Sequence, residues 1–453
     1  MEIDPGSHGA GAALPSIPES LPELVRVLRS GELPLDKYLA VLEARFANLE
    51  PAIHAFMPEP ERFTRLRAEA AALAARWPEA ASRPALFGVP VGIKDIMRVD
   101  GLPTTAGSQL PPETFQGPES ACVTALRSAG ALIIGKTVST EFAYFGPGPT
   151  HNPRNLDHTP GGSSSGSAAA VAAGLCPLAL GSQTVGSTIR PAAFCGVVGF
   201  KPSYDRISKV DVIPLAPSLD HVGIFSGDLA GAALAASVLC RSWQPARDQA
   251  RAVFGLPEGP YLDCASDEAR RHFDGLVDRL RNAGYTLKAL PAMADYDAIR
   301  DRHNLIVAAE AAHVHAQWFK TYGERYHPKT KALVEQGRAL SGQSLAEALL
   351  GREKLRAELM ALMDANGLDA WLAPSAVGAA PPGLESTGDP AMNLPWTHAG
   401  LPALSLPSGR NSAGLPFGLQ IVGRWDEDER LLAWAGELEA LLTGTGAAPA
   451  HGQ

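Results

Sequence analysis

The sequence has few cysteines, no long apolar run and no cluster of basic residues. Its five cysteines are odd in number, widely spaced and without a C-x-x-C pair, which argues against a disulfide framework and against a zinc site. We therefore expect a protein of the reducing cytoplasm with no bound metal and no cofactor. The most apolar stretch, residues 168–180, is too short to cross a bilayer and contains Gly174 and Pro177, so we predict no membrane span.

Acidic residues outnumber basic ones, 48 against 39, and the lysines and arginines are scattered singly. Without a basic patch the chain has no surface that would release counterions from a phosphate backbone, so nucleic acid is not an expected partner. Residues 1–18 carry acids and prolines where an export signal needs a basic start and an apolar run. We interpret them as a loose leader.

The helical and strand patterns indicate an α/β protein. Ser20 and Glu23 form a capping-box pattern before leucines at helical spacing, and further helices are predicted at 36–50 and 61–77. From residue 86 onward, short β-branched runs (VPVGI, ALIIG, GVVGF) alternate with Gly, Pro and Ala-rich helical pieces. Later in the chain we predict helices at 300–319, 344–363 and 427–442, and strands in AWLAPS, LPALSLPSG and PFGLQIVGR.

The chain shows no internal repeat and no low-complexity linker, and 45% of its 453 residues are hydrophobic, which is enough for a large core. The sequence therefore predicts a single α/β/α domain with a central mixed β-sheet flanked by helices. We expect this domain to span residues 19–445. Its core is predicted at 86–227 and 369–441, with a variable helical segment at about 267–366.

A first candidate for a functional loop is TPGGSSSGS at residues 159–167. A Gly/Ser run is typical of flexible linkers, but this one leads directly into the helix-forming AAAVAAG, which ends at Gly174. Small residues let backbone and hydroxyl groups approach a reacting centre, and the start of a helix offers free N–H groups. We therefore favour a functional loop over a linker.

A second candidate is the segment GSQTVGS at residues 181–187, which is followed by TIRP. A turn with unpaired backbone N–H groups before a serine suits an oxyanion hole, because such donors can point to the place where negative charge develops. Taken alone, the segment fits an ordinary turn better. Its interpretation depends on the other candidates.

The third candidate is Lys94, a single lysine in the apolar, strand-like run GVPVGIKDIM at residues 88–97. Neighbouring residues on a strand point to opposite faces, so Lys94 cannot simply pair with Asp95. Burial disfavours the ammonium form, and lowering a lysine pKa from ~10.4 to the ~7–8 that suits a base costs roughly 4 kcal/mol. A functional role for Lys94 explains such a cost better than chance does. The alternative is a surface lysine on an edge strand, which would not bear this cost.

Together these three segments resemble the amidase signature family of serine hydrolases. Its members carry a lysine in a GVPVGIKD-type strand, a GGSS-type loop, and a serine in a Gly/Ser turn before a PAAFCGVVGFKP-type stretch, which stands unbroken here at residues 191–202. The likeness is close from about residue 86 to 227. It resumes from 369 to 439, where GLPALSLPSG and GLPFGLQIVGR resemble the closing strands of the family. The helical segment in between is not diagnostic.

The resemblance implies an amidohydrolase that works through an acyl-enzyme, and it implies the roles of several residues. Lys94 resembles the base of the family, Ser163 its relay serine and Ser187 its nucleophile. Because the relay serine of the family follows a cis peptide bond, we expect Gly162-Ser163 to be cis. The oxyanion hole is expected to consist of the backbone N–H groups of Thr184, Val185, Gly186 and Ser187.

The turn departs from the D-T-G-G-S-[IV]-R pattern of many relatives. Gln183 and Val185 stand where Asp and Gly are common, and Thr188-Ile189-Arg190 moves the arginine next to a proline. We therefore assign Arg190 no role in substrate binding. Val185 narrows the conformational freedom of the turn but removes no catalytic atom.

The substrate implied by the resemblance is a small-molecule amide or carbamate. Phe142, Tyr144 and Phe145 are our candidates for the walls of its pocket, with Trp318 and Phe319 as weaker ones. An aromatic pocket would favour anilides or aryl carbamates, and the alternative for these side chains is plain core packing.

Several functions stay open for such a chain. A carbamate (urethane) or urea-like hydrolase would use the same three residues. A glutaminase-type subunit of an amidotransferase would share the core and need protein partners. A binding protein without turnover would lack a competent triad, but Lys94, Ser163 and Ser187 are all present.

Other patterns carry no function in this interpretation. Residues 130–137 fit the G-x-x-x-x-G-K-[ST] phosphate-loop pattern, but their apolar, β-branched middle describes a strand. Residues 162–166 fit G-x-S-x-G, but that elbow must follow a strand, and residues 151–160 are turn-like. His313 and His315 point to different faces of a helix and cannot easily share a metal ion. Asp220-His221 are adjacent residues, for which we predict a structural role.

Overall fold

The sheet at the centre of the molecule contains ten strands within residues 17–246 and 250–443, the parts of the chain that the computed structural model describes. The strands are β1 (Pro90–Lys94), β2 (Leu132–Thr137), β3 (Leu178–Gln183), β4 (Val198–Lys201), β5 (His221–Ser226), β6 (Val253–Glu258), β7 (Thr286–Pro291), β8 (Ala370–Pro374), β9 (Ala403–Arg410) and β10 (Pro416–Gly423). They are hydrogen-bonded in the order β2-β1-β3-β5-β4-β9-β10-β8-β6-β7. Strand β1 is parallel to β2 and β3, and β6 is parallel to β7 and β8, whereas the other pairs are antiparallel.

Helices flank this sheet, so the predicted α/β/α domain with a mixed sheet is confirmed. The α-helices are α1 (Leu21–Ser30), α2 (Leu35–Ile53), α3 (Arg62–Arg76), α4 (Ala121–Ser128), α5 (Ser165–Ala172), α6 (Ile189–Cys195), α7 (Leu229–Leu239), α8 (Asp267–Asn282), α9 (Tyr296–Val314), α10 (Ala316–Tyr322), α11 (Pro328–Arg338), α12 (Gly342–Asn366), α13 (Leu394–Ala399) and α14 (Asp428–Thr443). Helix α1 begins as its capping-box pattern predicts, because the Ser20 hydroxyl accepts a hydrogen bond from the N–H of Glu23 at 3.4 Å.

The topology brings two of the candidate segments to one edge of the sheet. Strands β1 and β3 are parallel neighbours, and they end at Lys94 and Gln183. Carboxyl ends of parallel strands in one sheet lie on the same side, where α/β proteins commonly bind ligands. Helix α5, which follows the Gly/Ser run, packs on these two strands and brings the third segment to the same edge.

The two halves of the chain meet in the middle of the sheet. Strand β4 pairs antiparallel with β9, with Gly199 opposite Ser405 and Phe200 opposite Leu404. The expectation that both halves supply strands to one sheet is therefore confirmed. The same pairing places α13, which directly precedes β9, beside the segments from the first half.

The segment predicted as helical, 267–366, differs from the expectation in two places. Strand β7 lies within it and forms one edge of the sheet, where most of its side chains are at least partly exposed. Because both faces of β7 are at least partly exposed, its residues show little of the burial pattern that marks a strand in a sequence. The helix predicted over 300–319 is interrupted at His315, which separates α9 from α10.

Residues 1–16 of the predicted leader and the last two residues of the predicted domain, 444–445, lie outside the described residues. The proposed domain boundaries stay a prediction. Among the described helices, none is both long enough and apolar enough to span a membrane.

Candidate active site

Lys94 lies at the end of β1 in a pocket of serine hydroxyl groups. Its side chain is fully buried, and its Nζ atom lies 2.6 Å from Ser163 Oγ, 2.7 Å from Ser182 Oγ and 3.1 Å from Ser164 Oγ. Burial lowers the pKa of Lys94 well below its usual value of 10.5, and the negative charge of Asp220 opposes this shift. Burial therefore favours the neutral amine form of Lys94, which is the form that can accept a proton.

The neighbour of this lysine points the other way, as strand alternation requires. The carboxylate of Asp95 forms an ion pair with Lys136 at 2.7 Å, and both side chains are buried. Lys136 lies on β2, so the phosphate-loop pattern at residues 130–137 is a strand with its lysine already paired. Asp95 also accepts a hydrogen bond from the backbone N–H of Thr105 at 3.1 Å.

The Gly/Ser run forms the loop that presents Ser163 and Ser164 to Lys94. The peptide bond Gly162-Ser163 is cis, as we expected. Ser164 occupies the N-cap position of α5, and its hydroxyl donates to the carbonyl of Ser182 at 3.0 Å. A side chain at Gly166 would lie 2.2 Å from the carbonyl oxygen of Ala55, so the loop is packed tightly against its surroundings and is no linker.

The buried side chain of Arg190 is hydrogen-bonded to the backbone of this loop. The side chain is 1% exposed, and its Nη2 atom donates to the carbonyl oxygen of Gly162 at 2.6 Å and to Thr387 Oγ1 at 3.3 Å. Burial lowers the pKa of Arg190 to about 10, a shift that the nearby Asp389 opposes. Arg190 therefore holds the backbone of Gly162, the residue that precedes Ser163, in place.

The turn between β3 and α6 carries Ser187, which is 6% exposed. Within the described residues, the backbone N–H groups of positions 184–187 have no hydrogen-bond acceptor. The next two N–H groups, of Thr188 and Ile189, donate to the side-chain oxygen of Gln183 at 2.8 and 3.0 Å. The turn thus keeps a row of free donors beside a serine hydroxyl, which is the arrangement that an oxyanion hole needs.

Asp220 contacts the turn, which the sequence did not suggest. Its carboxylate accepts a hydrogen bond from Thr184 Oγ1 at 2.6 Å and from the backbone N–H groups of Leu215 and Ala216 at 2.9 and 3.0 Å. Burial raises its pKa to about 6. Its neighbour His221 points elsewhere, with Nδ1 at 2.6 Å from the carbonyl oxygen of Leu219. No local pattern could reveal a contact between side chains that are 36 positions apart.

A cavity of about 490 Å³ lies beside the turn, with Val185 in its wall. Its aromatic wall contains Tyr144, Phe145 and Tyr296. Its polar wall contains Arg300, Asn304, Gln336 and Asp389. Helix α9 presents one face to the cavity, because its lining residues recur at helical spacing. The predicted pocket candidates Tyr144 and Phe145 therefore lie where a substrate could bind.

Phe142, the remaining candidate for the pocket wall, does not line this cavity. Its ring is 1% exposed and packs against His315, Tyr326 and Trp318, with ring centroids 4.4, 5.2 and 6.1 Å away. Phe142 and Ala143 both have a positive φ, 49° and 59°, so side chains along this segment do not alternate as in a strand. Core packing, the alternative for these aromatic residues, applies to Phe142 and to Trp318.

His313 lies in the last turn of α9, and His315 follows this helix directly. Within the described residues, no group of three or more His, Cys, Asp or Glu side chains is arranged to hold an ion. His315 is buried in the aromatic cluster around Phe142, and its Nδ1 atom lies 3.0 Å from the hydroxyl of Tyr326.

Comparisons with known proteins cover almost the whole chain. A family model described as Amidase matches residues 43–432. The A subunit of glutamyl-tRNA(Gln) amidotransferase from a Synechococcus strain is 32% identical over 89% of this chain and 92% of its own length. The corresponding protein of Thermus thermophilus is 34% identical over 90% of this chain and 93% of its own length. A solved structure described as an amidase has a TM-score of 0.85 at 32% identity, over 93% of this chain and 100% of that one.

Proposed function

The chain belongs to the amidase family, and from that premise we propose that it hydrolyses the C–N bond of an amide through an acyl-enzyme on Ser187. In this proposal Ser163 relays a proton to Lys94. The observation that carries it is the contact of 2.6 Å between Ser163 Oγ and the Nζ atom of a buried lysine with a lowered pKa. A neutral amine at this distance from a hydroxyl is a base ready to take its proton.

The proton balance of the reaction follows from these groups. As the Ser187 oxygen attacks the carbonyl carbon, its proton passes to Ser163 Oγ, and the Ser163 proton passes to Lys94. The C–N bond then breaks, Ser163 gives a proton to the leaving nitrogen, and Lys94 returns its extra proton to Ser163. Water repeats the sequence on the acyl-enzyme, releases the acid and restores Ser187.

The negative charge of the tetrahedral intermediate needs donors that are not otherwise engaged. The free N–H groups of residues 184–187 meet that need, because they lie in the same turn as the Ser187 hydroxyl. Within the described residues the Ser187 hydroxyl makes no hydrogen bond of its own, so the relay requires Ser163 and Ser187 to approach when substrate binds. Such catalytic contacts are often long in free enzymes and tighten in the complex.

The cavity supports a polar substrate better than an anilide. Three of its side chains, those of Arg300, Asn304 and Gln336, can donate hydrogen bonds to an acceptor-rich group. We propose that the substrate carries a carboxylate away from the amide that is cleaved. A carbamate would react in the same way and release an amine, an alcohol and carbon dioxide, whereas a urea-like substrate would release carbon dioxide and two molecules of amine or ammonia.

Replacing Arg300 with glutamine tests the proposed carboxylate. We expect the KM for glutaramate, a carboxylate-bearing amide, to rise roughly threefold to fivefold, because an exposed ion pair contributes no more than about 1 kcal/mol. The KM for valeramide, which lacks the charge, should stay unchanged. Steady-state ammonia release measures both KM values.

A matched control is Arg281→Gln, because Arg281 also pairs with an aspartate three positions earlier on its own helix and does not line the cavity. Equal KM changes for the two amides would exclude a carboxylate site at Arg300.

A second candidate function is favoured by the relatives. Both relatives named above are A subunits of a glutamyl-tRNA(Gln) amidotransferase, and they match this chain over about nine tenths of its length. Glutamine, which bears a carboxylate beyond its side-chain amide, would also suit the polar wall. A protein of this kind would release ammonia from glutamine for use by protein partners. Isolation of the chain from its native host, with glutaminase assays before and after removal of co-purifying proteins, separates this function from that of a stand-alone hydrolase.

A further inference from the structure

Gln183 and Thr397 connect the two ends of the turn that carries Ser187. Gln183 is fully buried, and its side-chain oxygen holds the N–H groups of residues 188 and 189, directly after the turn. Its side-chain nitrogen donates to Thr397 Oγ1 at 2.9 Å. Thr397 Oγ1 lies 2.7 Å from the carbonyl oxygen of Val185, within the turn. The hydrogen bonds thus form a closed circuit around residues 184–187.

The direction of the last bond in this circuit follows from the number of available protons. A threonine hydroxyl has one proton to donate, and two carbonyl oxygens lie within reach, that of Val185 at 2.7 Å and that of Asn393 at 3.1 Å. The Asn393 carbonyl already accepts the backbone N–H of Thr397 at 3.1 Å. The hydroxyl therefore donates to Val185, while it accepts from the amide of Gln183.

This contact determines where the next N–H group points. In a trans peptide the C=O and N–H groups lie on opposite sides of the plane. With the Val185 carbonyl turned towards Thr397, the N–H of Gly186 points away from α13. A side chain at Gly186 would lie 2.6 Å from Asn393 Oδ1, so the turn is pressed against this helix.

Helix α13 provides a firm support for this contact. The side-chain nitrogen of Asn393 donates to the carbonyl oxygen of Ser375 and to Gln420 Oε1, both at 2.9 Å. These bonds attach the start of α13 to the end of β8 and to the middle of β10. Thr397 is therefore held by the second half of the chain while it contacts a turn from the first half.

We propose that Thr397, oriented by Gln183, is a positioning residue that directs the Gly186 N–H towards the oxyanion. This inference rests on the proposed function, because it assumes that Ser187 is the nucleophile. Aspartate at position 183 would make a different set of hydrogen bonds. An aspartate could accept hydrogen bonds from residues 188 and 189, but it has no N–H group to donate to Thr397. The hydrogen bond that the side chain of residue 183 donates to Thr397 therefore depends on the glutamine of this chain.

Labelling with a fluorophosphonate probe tests the proposal without knowledge of the substrate, because its phosphoryl oxygen enters the oxyanion hole as serine attacks. We expect Thr397→Val to slow the labelling of Ser187 about 10- to 100-fold, somewhat less than the roughly 100- to 1,000-fold loss that follows removal of an oxyanion donor. The pH midpoint of labelling should stay where it is, because the change does not touch the base. A role in folding alone would change the melting temperature and leave the labelling rate of the folded protein intact.

Two further variants separate positioning from packing. Thr397→Ser keeps the hydroxyl and should label within about threefold of the wild type, whereas Gln183→Glu keeps the acceptor, loses the donor and should be slow. Thr150→Val is the matched control, because this buried hydroxyl also donates to a carbonyl, that of His54 at 2.8 Å, away from the turn. If Thr397→Val labels at the wild-type rate, or if Thr397→Ser is as slow as Thr397→Val, the positioning role is wrong.

The same experiment separates failure of this inference from failure of the proposed function. Equal labelling of the wild type and of Ser187→Ala, at some other residue, would remove the proposed nucleophile and the inference that rests on it. Labelling at Ser187 in the wild type together with an unaffected Thr397→Val would remove only the role of Thr397.

Discussion

Replacing Ser187 with alanine is expected to lower kcat for amide hydrolysis roughly 10,000-fold or more, while the chain stays folded. The change removes the atom that would carry the acyl group, and no other hydroxyl occupies its place in the turn. The fold should tolerate the loss, because the Ser187 hydroxyl forms no hydrogen bond with the described residues. Ammonia release from glutaramate and valeramide, with a thermal melt of the same sample, measures both effects.

A buried serine away from the site provides the control for this change. Ser226, at the end of β5, is fully buried, and its hydroxyl has no hydrogen-bond partner within the described residues. Ser226→Ala should therefore keep its turnover. Full turnover in purified Ser187→Ala would contradict the proposed mechanism at its first step. A loss of turnover with a stable fold would leave Ser187 as the nucleophile.

The sequence predicts the fully buried strands of the fold well, because burial on both faces gives them a clear pattern. Strands β1, β2 and β4 arise from short β-branched runs between glycines and prolines, and each of them is buried along its whole length. Strand β7 lacks that signal because it is an exposed edge strand. The interruption at His315 has no local signal either, because the ring is held by Phe142 and Tyr326 from other segments.

The candidate site also has parts that the sequence predicts and parts that it does not. A lone lysine at the end of an apolar strand is recognisable, because its burial requires a reason, and the structure buries Lys94 completely. The contacts of the turn with Asp220 and Thr397 join residues that are 36 and 212 positions apart, so the sequence gives no sign of them. The position of Phe142 could not be predicted because positive φ angles are uncommon for residues other than glycine.

Replacing Lys94 with methionine should lower kcat about 1,000-fold, because it removes the proposed base but keeps much of the buried volume. In the wild type, kcat/KM should fall as the pH falls through the lowered pKa of Lys94, since the ammonium form cannot accept the relayed proton. The Asp220 carboxylate favours that ammonium form and so raises the pKa. Asp220→Asn should therefore move the acid limb of the pH profile to lower pH. A limb that stays in place or moves upward would assign the titration to another group.

Lys94→Met should also show that the buried lysine lowers the stability of the folded chain and is kept for its function. Lys94 has a lower pKa in the folded chain than its usual 10.5, so the unfolded state binds more protons between these two values. The free energy of unfolding of the wild type therefore rises with pH across this window, and the rise ends near 10.5. Lys94→Met lacks this dependence, so its gain in stability over the wild type should be largest near neutral pH and shrink towards pH 10. Denaturant titrations at the two pH values measure the difference, and a gain that does not change with pH would mean that Lys94 is charged in the folded protein. A base that is charged at neutral pH could not take the proton from Ser163, so this measurement tests the mechanism independently of any substrate.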